Sequence, residues 1–178
     1  MAEAFSNKVA RAAGIVTSMT GGAIGVTTNL ITGISTVGIA VSDLVDNGNY
    51  ILGTKVTNIG VSSVTCDRDS TNTASATSQN FNFLGPTTAY TSTSTKSILV
   101  GGTFANNTSQ SVNLTVSVWD NSASTEVAIA GKIPVPNGSS FVISDAGKTV
   151  LESSDEIRIY CDTKNAIDAT LSILTGVS

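Results

Sequence analysis

The sequence contains no histidine, so it lacks the side chain most often used for acid–base catalysis near neutral pH and for binding transition metals. Ser-His-Asp and Cys-His catalytic arrangements are therefore excluded. Three partial matches to other catalytic or ligand-binding motifs are each incomplete, as described below. The sequence predicts a protein that is not an enzyme, with no catalytic residue, no bound metal and no cofactor.

Charged residues are scarce as well, at 12% of the 178 residues, which is about half the usual share. Ser, Thr and Asn supply the polar surface instead, and Thr is favoured on the pleated backbone of β-strands. The nine Lys and Arg residues are spread without a cluster, and the net charge is −4. We therefore expect no binding to nucleic acid, which depends on clustered basic residues, and none to an anionic membrane.

Long apolar runs are absent, so the sequence predicts no segment that spans a bilayer. The first residues lack the basic and apolar regions of a secretory signal, and we expect synthesis and assembly in the cytoplasm of the cell that makes the protein. Only two cysteines are present, Cys66 and Cys161. A bond between them would close a long loop, worth in principle about 4–5 kcal/mol. Two cysteines are not a disulfide scaffold, however, and buried thiols are favoured.

Residues 1–14 are predicted to form a short helix or an arm. Phe5, Val9 and Ala12 lie near one face of such a helix, and the charged Lys8 and Arg11 lie off it. A helix of this length is marginal by itself in water. We therefore expect Phe5, Val9 and Ala12 to be assembly contacts with another subunit.

Residues 15–84 are predicted to form a small β region, because short β-branched segments alternate with Gly- and Asn-containing turns. Two strands are expected at 54–59 and 63–67. The segment 85–94, Gly-Pro-Thr-Thr-Ala-Tyr-Thr-Ser-Thr-Ser, is the predicted linker.

Residues 95–178 are predicted to form an antiparallel β-sandwich that resembles a jelly roll. Apolar and polar residues alternate with a period of two at 112–118, 157–162 and 169–173, as in strands with one wet face. About seven short strands with regular turns fit this segment. The predicted fold class is thus all-β, with an N-terminal helix or arm, a strand-turn region and a C-terminal sandwich.

Three polar motifs match known sites only in part. The Gly-Lys-Thr at 147–149 lacks the first Gly of a phosphate-binding loop and a following helix. Residues 67–72 have oxygen ligands at calcium-like spacing, but the loop lacks its Gly and its final Glu. Glu152, Asp155 and Glu156 could pair for glycoside cleavage, yet they indicate an exposed acidic turn more simply.

Trp119 and Tyr160 occupy the polar positions of their predicted strands. They are the candidate exposed aromatic contacts, either as a sugar-stacking platform or as part of a contact between subunits or sheets. Aromatic residues are enriched at interfaces in general, which favours the second interpretation.

Two parts of the sequence resemble proteins of tailed phages. The segment Gly-Ile-Ser-Thr-Val-Gly-Ile-Ala-Val-Ser-Asp at 33–43, followed by residues 51–60, resembles a strand-turn-strand unit of phage fibre and virion proteins. A second set resembles small β-sandwich accessory proteins of tailed phages, especially contractile-tailed phages of marine cyanobacteria. In that family a Pro-x-Pro-x-Gly-Ser motif leads into a strand, and an acidic turn leads into the penultimate strand. The matching segments are 96–104, 112–119, 133–141 and 150–160.

The resemblance implies a structural protein of the virion, most simply a capsid or tail decoration protein attached by multivalent contacts. Its implied partners are other virion proteins, such as the major capsid, neck or tail proteins. It would also contact copies of itself in a homo-oligomer such as a trimer. The alternative is a receptor- or carbohydrate-binding module of a fibre or adhesin.

Overall fold

The computed structural model describes residues 3–144 and 148–177, and every regular element in them is a β-strand. The turn predicted at Asp145-Ala146-Gly147, and with it Gly147 of the phosphate-loop match, lies outside the described residues. No helix in the described part is long and apolar enough to cross a membrane. In chain order the strands are β1 (Ala4–Ala13), β2 (Ile15–Ile24), β3 (Leu30–Thr32), β4 (Leu44–Asp46), β5 (Val56–Ile59), β6 (Ser63–Cys66), β7 (Ala76–Gly85), β8 (Thr87–Thr91), β9 (Lys96–Asn106), β10 (Val112–Asp120), β11 (Thr125–Val135), β12 (Ser140–Ile143), β13 (Thr149–Glu152), β14 (Glu156–Cys161) and β15 (Ile167–Thr175).

The chain divides into two compact units. Unit 1 consists of Met1–Gly14 and Thr87–Ser178, and unit 2 consists of Ile15–Pro86. Unit 2 is therefore an insertion between the first and second strands of unit 1. At the exit from β1, Gly14 has a φ of +128°, and a Cβ there would collide with the carbonyl oxygen of Thr163. Glycine is thus required at this position.

Unit 1 is a jelly roll. Sheet I has the order β1-β15-β9-β12, with β13 also paired to β9, and sheet II has the order β11-β10-β14-β8. Because β12 and β13 pair with the two halves of β9, they act as one interrupted strand. Counted along unit 1, strand 1 then pairs with 8, 2 with 7, 3 with 6 and 4 with 5. This is one antiparallel ribbon folded into two sheets, which is the jelly-roll topology of eight strands.

The core of unit 1 lies between sheets I and II. The alternation predicted for 112–118, 157–162 and 169–173 is confirmed, because the apolar positions point inward. The seven strands expected after residue 95 correspond to β9 to β15. Fully buried Val, Leu and Ile side chains each contribute about 1.5–3 kcal/mol. The fully buried Leu and Ile side chains of this core include Leu99, Leu114, Leu151, Ile157, Ile159 and Ile167.

The predicted N-terminal helix is wrong, because residues 4–13 form strand β1. Phe5 and Val9 are four residues apart, and four is an even number, so this spacing also fits one face of a strand. Pairing with β15 from Ala4 to Ala13 then favours the strand over the helix. It gives the backbone amides and carbonyls stable partners, whereas a short isolated helix is only marginally stable in water. A bulge interrupts this pairing between Ala10 and Ala13.

The predicted linker at 85–94 instead contains strand β8, which pairs with β14. Its β-branched threonines favour a strand, and Tyr90 is 7% exposed and anchors the strand to the core. The Tyr90 hydroxyl shares a hydrogen bond of 3.0 Å with the hydroxyl of Ser97. Only Pro86 separates β7 from β8.

Unit 2 contains sheet III, with the order β4-β7-β2-β3-β6-β5. The strands predicted at 54–59 and 63–67 are confirmed as β5 and β6. The apolar segment 33–39, which follows β3, forms bends and turns rather than a strand. The core of unit 2 is built on a pair of phenylalanine rings, Phe81 and Phe83, with centroids 6.1 Å apart.

Candidate functional site

Trp119 is partly exposed on the outer face of sheet II. Its neighbours are Glu156 on β14 and Glu126 on β11, which lie opposite it in the strand pairing. The guanidinium carbon of Arg158 lies 4.5 Å from the centre of the indole ring. This cation–π contact covers one face of the ring, so that face is closed to a sugar.

Glu126 is the centre of a buried polar cluster beside Trp119. Its side chain is only 2% exposed. It accepts hydrogen bonds from the Ser117 hydroxyl and, at 2.9 Å, from the Tyr160 hydroxyl. The guanidinium of Arg158 lies 3.4 Å from Glu126 and 2.8 Å from Glu156. The cluster therefore joins three strands, β10, β11 and β14, by side chains on the outer face of sheet II.

Tyr160 does not form an exposed platform with Trp119. Its side chain is fully buried, although it points to the outer face of sheet II, because Glu126 and Arg158 surround it. Burial, and then the charge of Glu126, raise the pKa of the Tyr160 hydroxyl. Of these two residues, only Trp119 retains an accessible aromatic surface. The aromatic pair expected from the sequence thus acts mainly as an internal support.

The N-terminal candidates Phe5, Val9 and Ala12 are all exposed. Phe5 is 67% and Val9 is 73% exposed, and both point outward from sheet I. Ala12 lies in the bulge with a φ of +57°, and its amide donates to Asp168 at 2.7 Å. Phe5 and Val9 therefore share one face, while Ala12 has a local structural contact.

Phe5 belongs to a larger apolar feature that crosses sheet I. In the strand pairing Phe5 lies opposite Leu174, Leu174 opposite Ile98, and Ile98 opposite Val150. We call these four residues the apolar row. Phe5 and Val150, at its two ends, are 67% and 55% exposed. Directly opposite residues on one face contact each other, so the row is a continuous apolar strip across four strands.

The acidic turn at 152–156 is a structural support in the fold. Asp155 is 5% exposed, and its two carboxylate oxygens accept from the backbone amides of Asn121 and Glu152, at 3.0 and 2.8 Å. Its own carbonyl accepts from the amide of Ser92 at 2.8 Å. Asp155 thereby fastens the β10–β11 turn and the end of β8 to the turn before β14.

The calcium-like segment 67–72 is used internally as well. The carboxylate of Asp67 accepts from the amide of Lys55 at 2.8 Å, and the Ser70 hydroxyl accepts from the amide of Thr28 at 3.1 Å. Among the described residues, no group of three or more His, Cys, Asp or Glu side chains could hold a metal ion. The segment is therefore a turn whose side chains accept hydrogen bonds from neighbouring backbone amides.

Cys66 and Cys161 are free, buried thiols, as favoured by the sequence. Cys66 belongs to unit 2 and Cys161 to unit 1. Burial raises the pKa of the Cys66 thiol to about 12 and that of the Cys161 thiol to about 11. Both thiols are therefore held in their unreactive, protonated form.

Comparison with known proteins gives little guidance. No protein-family model and no curated protein matches the sequence. Among solved structures, one described as "Crystal Structure of the STIV MCP" is similar, with a TM-score of 0.29 and 8% sequence identity, and the similarity covers 98% of this chain and 92% of that chain. A TM-score this low does not show a shared fold, and the jelly-roll assignment rests on the strand order of unit 1.

Sequence reasoning missed Glu126 and three members of the apolar row. The polar turn at 121–124 could have revealed Glu126, because a hairpin closed there places Glu126 opposite Trp119. Leu174, Ile98 and Val150 give no such signal. Their alignment depends on pairings between strands far apart in the sequence.

Proposed function

We propose that this chain is a non-catalytic structural protein of a virus particle. The observation that supports this most directly is the apolar row, because an exposed apolar strip on a folded domain is typical of a surface that binds another protein. The jelly-roll topology agrees with the proposal, since it is common in viral capsid domains, although it also occurs in lectins. Fold alone does not assign function, so the surface is the stronger support.

Unit 2 offers a second apolar surface. Val37 is 81% and Val61 is 99% exposed. They lie in neighbouring loops, because the Thr36 hydroxyl donates to the carbonyl of Val61 at 3.4 Å. Each surface is small, and several weak contacts per copy suit attachment by multivalency. The proposed role is therefore a decoration or accessory protein on the capsid or tail.

The resemblance of the sequence to tailed-phage proteins supports a more specific form of this proposal. It suggests a tailed phage, with a contractile-tailed phage of marine cyanobacteria as the first choice. The partners would be the major capsid, neck or tail proteins together with further copies of this chain. The protein would assemble in the host cytoplasm and be located in the virion.

Purified virus particles provide the test. We expect the chain to sediment with intact particles in a density gradient and to be present in many copies by quantitative mass spectrometry. Purified protein added to particles that lack it should bind and saturate. A chain found only in the lysate, with no binding to particles, would overturn the proposal.

Carbohydrate binding is the alternative function, and the exposed side of Trp119 is the feature that favours it. The burial of Tyr160 and the position of Arg158 leave one indole as the platform, which is small for a glycan site. A glycan array distinguishes the two. Binding to a glycan that Trp119→Ala abolishes, with no binding to particles, would establish the alternative.

A further inference from the structure

Strand β1 lies at one end of sheet I and, within the described residues, has β15 as its one strand partner. The seven residues 4–10 pair with β15 without an irregularity. In an antiparallel ladder, alternate residues direct their amide and carbonyl groups to the same neighbouring strand. The remaining residues of this run direct theirs to the open side of β1, where a further strand would fit.

The other end strands of the described sheets are shorter or less regular than this run. The pairing of β11 shifts register at two points, that of β8 shifts at one, and β12 and β13 have four residues each. Sheet III closes on itself, because backbone hydrogen bonds join its end strands β4 and β5, from Val45 to Thr54 at 2.8 Å and from Val56 to Asp43 at 3.0 Å. Short strands, bulges and closure all discourage pairing between molecules. Residues 4–10 are therefore the longest regular open edge of the described chain.

An open strand edge is complementary to another extended strand, because its spare amides and carbonyls are spaced along a line. The same edge of a second copy supplies that arrangement. Two identical antiparallel strands are related by a two-fold axis, so each copy satisfies the spare groups of the other.

The side chains of β1 favour one register for such a pair. A two-fold axis at Asn7 pairs all seven residues of the run and places Phe5 opposite Val9 of the other copy. These side chains are 67% and 73% exposed, and aromatic and β-branched side chains stabilise each other when they lie opposite across strands. Lys8 then lies opposite Ser6. The next symmetric register, centred on Lys8, would oppose two lysines and is disfavoured.

The charges that flank this run complement each other in the same register. Glu3 precedes the run, Arg11 follows it, and both are exposed. With the axis at Asn7, Glu3 of each copy lies beside Arg11 of the other, so an opposite-charge pair forms at both ends of the contact. This charge complementarity favours a second copy over a strand of unrelated sequence.

We propose that β1 pairs antiparallel with β1 of a second copy about a two-fold axis at Asn7, so that sheet I continues across two molecules. This inference rests on the proposed structural role, because it names the edge that joins two copies in an assembly. Seven residues at about 3.4 Å each give a contact roughly 24 Å long and one strand wide. That is well below the about 800 Å² per partner of a standard interface. We therefore expect weak self-association in dilute solution that persists when many copies are held on one particle.

Sedimentation equilibrium of the full chain tests the contact from micromolar to millimolar concentration. The experiment uses low salt, where exposed charges interact most strongly. The weight-average mass of the wild type should start at 18.1 kDa and rise towards twice that value. Glu3→Arg and Arg11→Glu each place like charges together at both ends of the contact and should lower the association constant about tenfold.

The doubly reversed chain, with Glu3→Arg and Arg11→Glu together, keeps the wild-type net charge and restores both opposite-charge pairs. It should associate like the wild type. An equimolar mixture of the two single variants should also associate, because one then carries two arginines and the other two glutamates. Circular dichroism melting curves check that each variant is folded.

Val9→Lys tests the apolar part of the contact, since it removes the partner of Phe5, and should lower the association constant about tenfold. Val26→Lys is its matched control. It adds the same charge at a valine that is 52% exposed and lies in unit 2, and it should associate like the wild type.

The outcomes separate this inference from the proposed function. A wild-type chain that stays monomeric at every concentration overturns the inference, even if the chain binds virus particles. Single charge reversals without effect, or a folded doubly reversed chain that stays monomeric, overturn it as well, because the β1 register would then be wrong. Equal loss of association in Val9→Lys and Val26→Lys also overturns it. Dimers that each single reversal weakens and the double reversal restores support it, whatever the particle-binding experiment shows.

Discussion

The hydroxyl of Tyr160 on β14 donates to the buried carboxylate of Glu126 on β11 at 2.9 Å, across the intervening strand β10. Tyr160→Phe removes this hydrogen bond and keeps the ring. Because the acceptor is charged, we expect the free energy of unfolding to fall by about 1.5–3 kcal/mol. Chemical denaturation monitored by fluorescence measures the change.

Tyr50→Phe is the control for this variant. The Tyr50 hydroxyl in unit 2 donates to the carbonyl of Thr28 at 3.3 Å, a neutral and longer bond, so the expected loss is about 0.5–1.5 kcal/mol. Equal losses in the two variants would mean that the charge of Glu126 adds nothing to the Tyr160 contact.

Asp155→Ala should destabilise unit 1, because the backbone amides of Asn121 and Glu152 lose their acceptor. We expect a loss of about 2–4 kcal/mol in the free energy of unfolding. Glu152→Ala, which removes an exposed carboxylate from the same turn, should change it by less than about 0.5 kcal/mol. Urea titrations of both variants make the comparison, and a large effect of Glu152→Ala would argue against a special role for Asp155.

The free energy of unfolding of unit 2 should fall as pH rises from about 4, because of the buried carboxyl of Asp43. Burial raises the pKa of this carboxyl above its usual 3.8, so the folded chain keeps a proton that the unfolded chain has already lost. Stability is thus greatest below the unfolded pKa and declines as pH rises through the folded pKa. Asp43→Asn should be more stable than the wild type at pH 7 and closer to it at pH 4. Thermal melting across this range, with the exposed Asp69→Asn as control, tests the sign.

Cys66 and Cys161 should resist thiol reagents in the folded protein at pH 8, because burial raises the pKa of both thiols. Both should react rapidly in urea. An added Val61→Cys thiol, at a position 99% exposed, should react at once without denaturant. Since unfolded thiols ionise near pH 9, stability should also decline as pH rises from 9 towards 11 and 12. Rapid reaction of both Cys66 and Cys161 in the folded protein at pH 8 would contradict the burial of their thiols.

Val116→Asp should unfold unit 1. Val116 is fully buried between the sheets, and a carboxylate there has no partner, with an expected cost of about 4–5 kcal/mol or more. Val127→Asp, at a position 60% exposed on the neighbouring strand, should leave the fold intact. A soluble Val116→Asp protein with a cooperative melting transition would show that the strand faces the other way.

The sequence predicts the strands of unit 1 well where the signal is local. The alternation of Leu114, Val116 and Val118 with polar residues reflects a strand that has one face in the core, and this period survives in the structure. Residues 4–13 are different, because the spacing of Phe5 and Val9 fits a helix and a strand equally. Their partner strand lies more than 150 residues away, and no local pattern reveals that pairing.

The candidate site is harder to predict from the sequence than the strands are, because it depends on the register in which the strands pair. Trp119 and Tyr160 have the polar parity expected, but parity does not show that Glu126 and Arg158 fill the space over Tyr160. The same limit applies to the apolar row. Ile98 and Val150 become neighbours only after two strands pair in one particular register.

The pairing of Ala4 with Thr175 joins the two ends of the chain in one sheet. During synthesis on a ribosome, β1 emerges before β15 and cannot pair with it until β15 has been made. Unit 2 is continuous in the sequence and can fold as soon as Pro86 has emerged. We therefore expect the inserted unit to form first and the jelly roll to close only after β15 has emerged, and contacts this distant in sequence favour slow closure. Until then Phe5 has no partner strand, so the apolar row is assembled only once β15 has paired with β1.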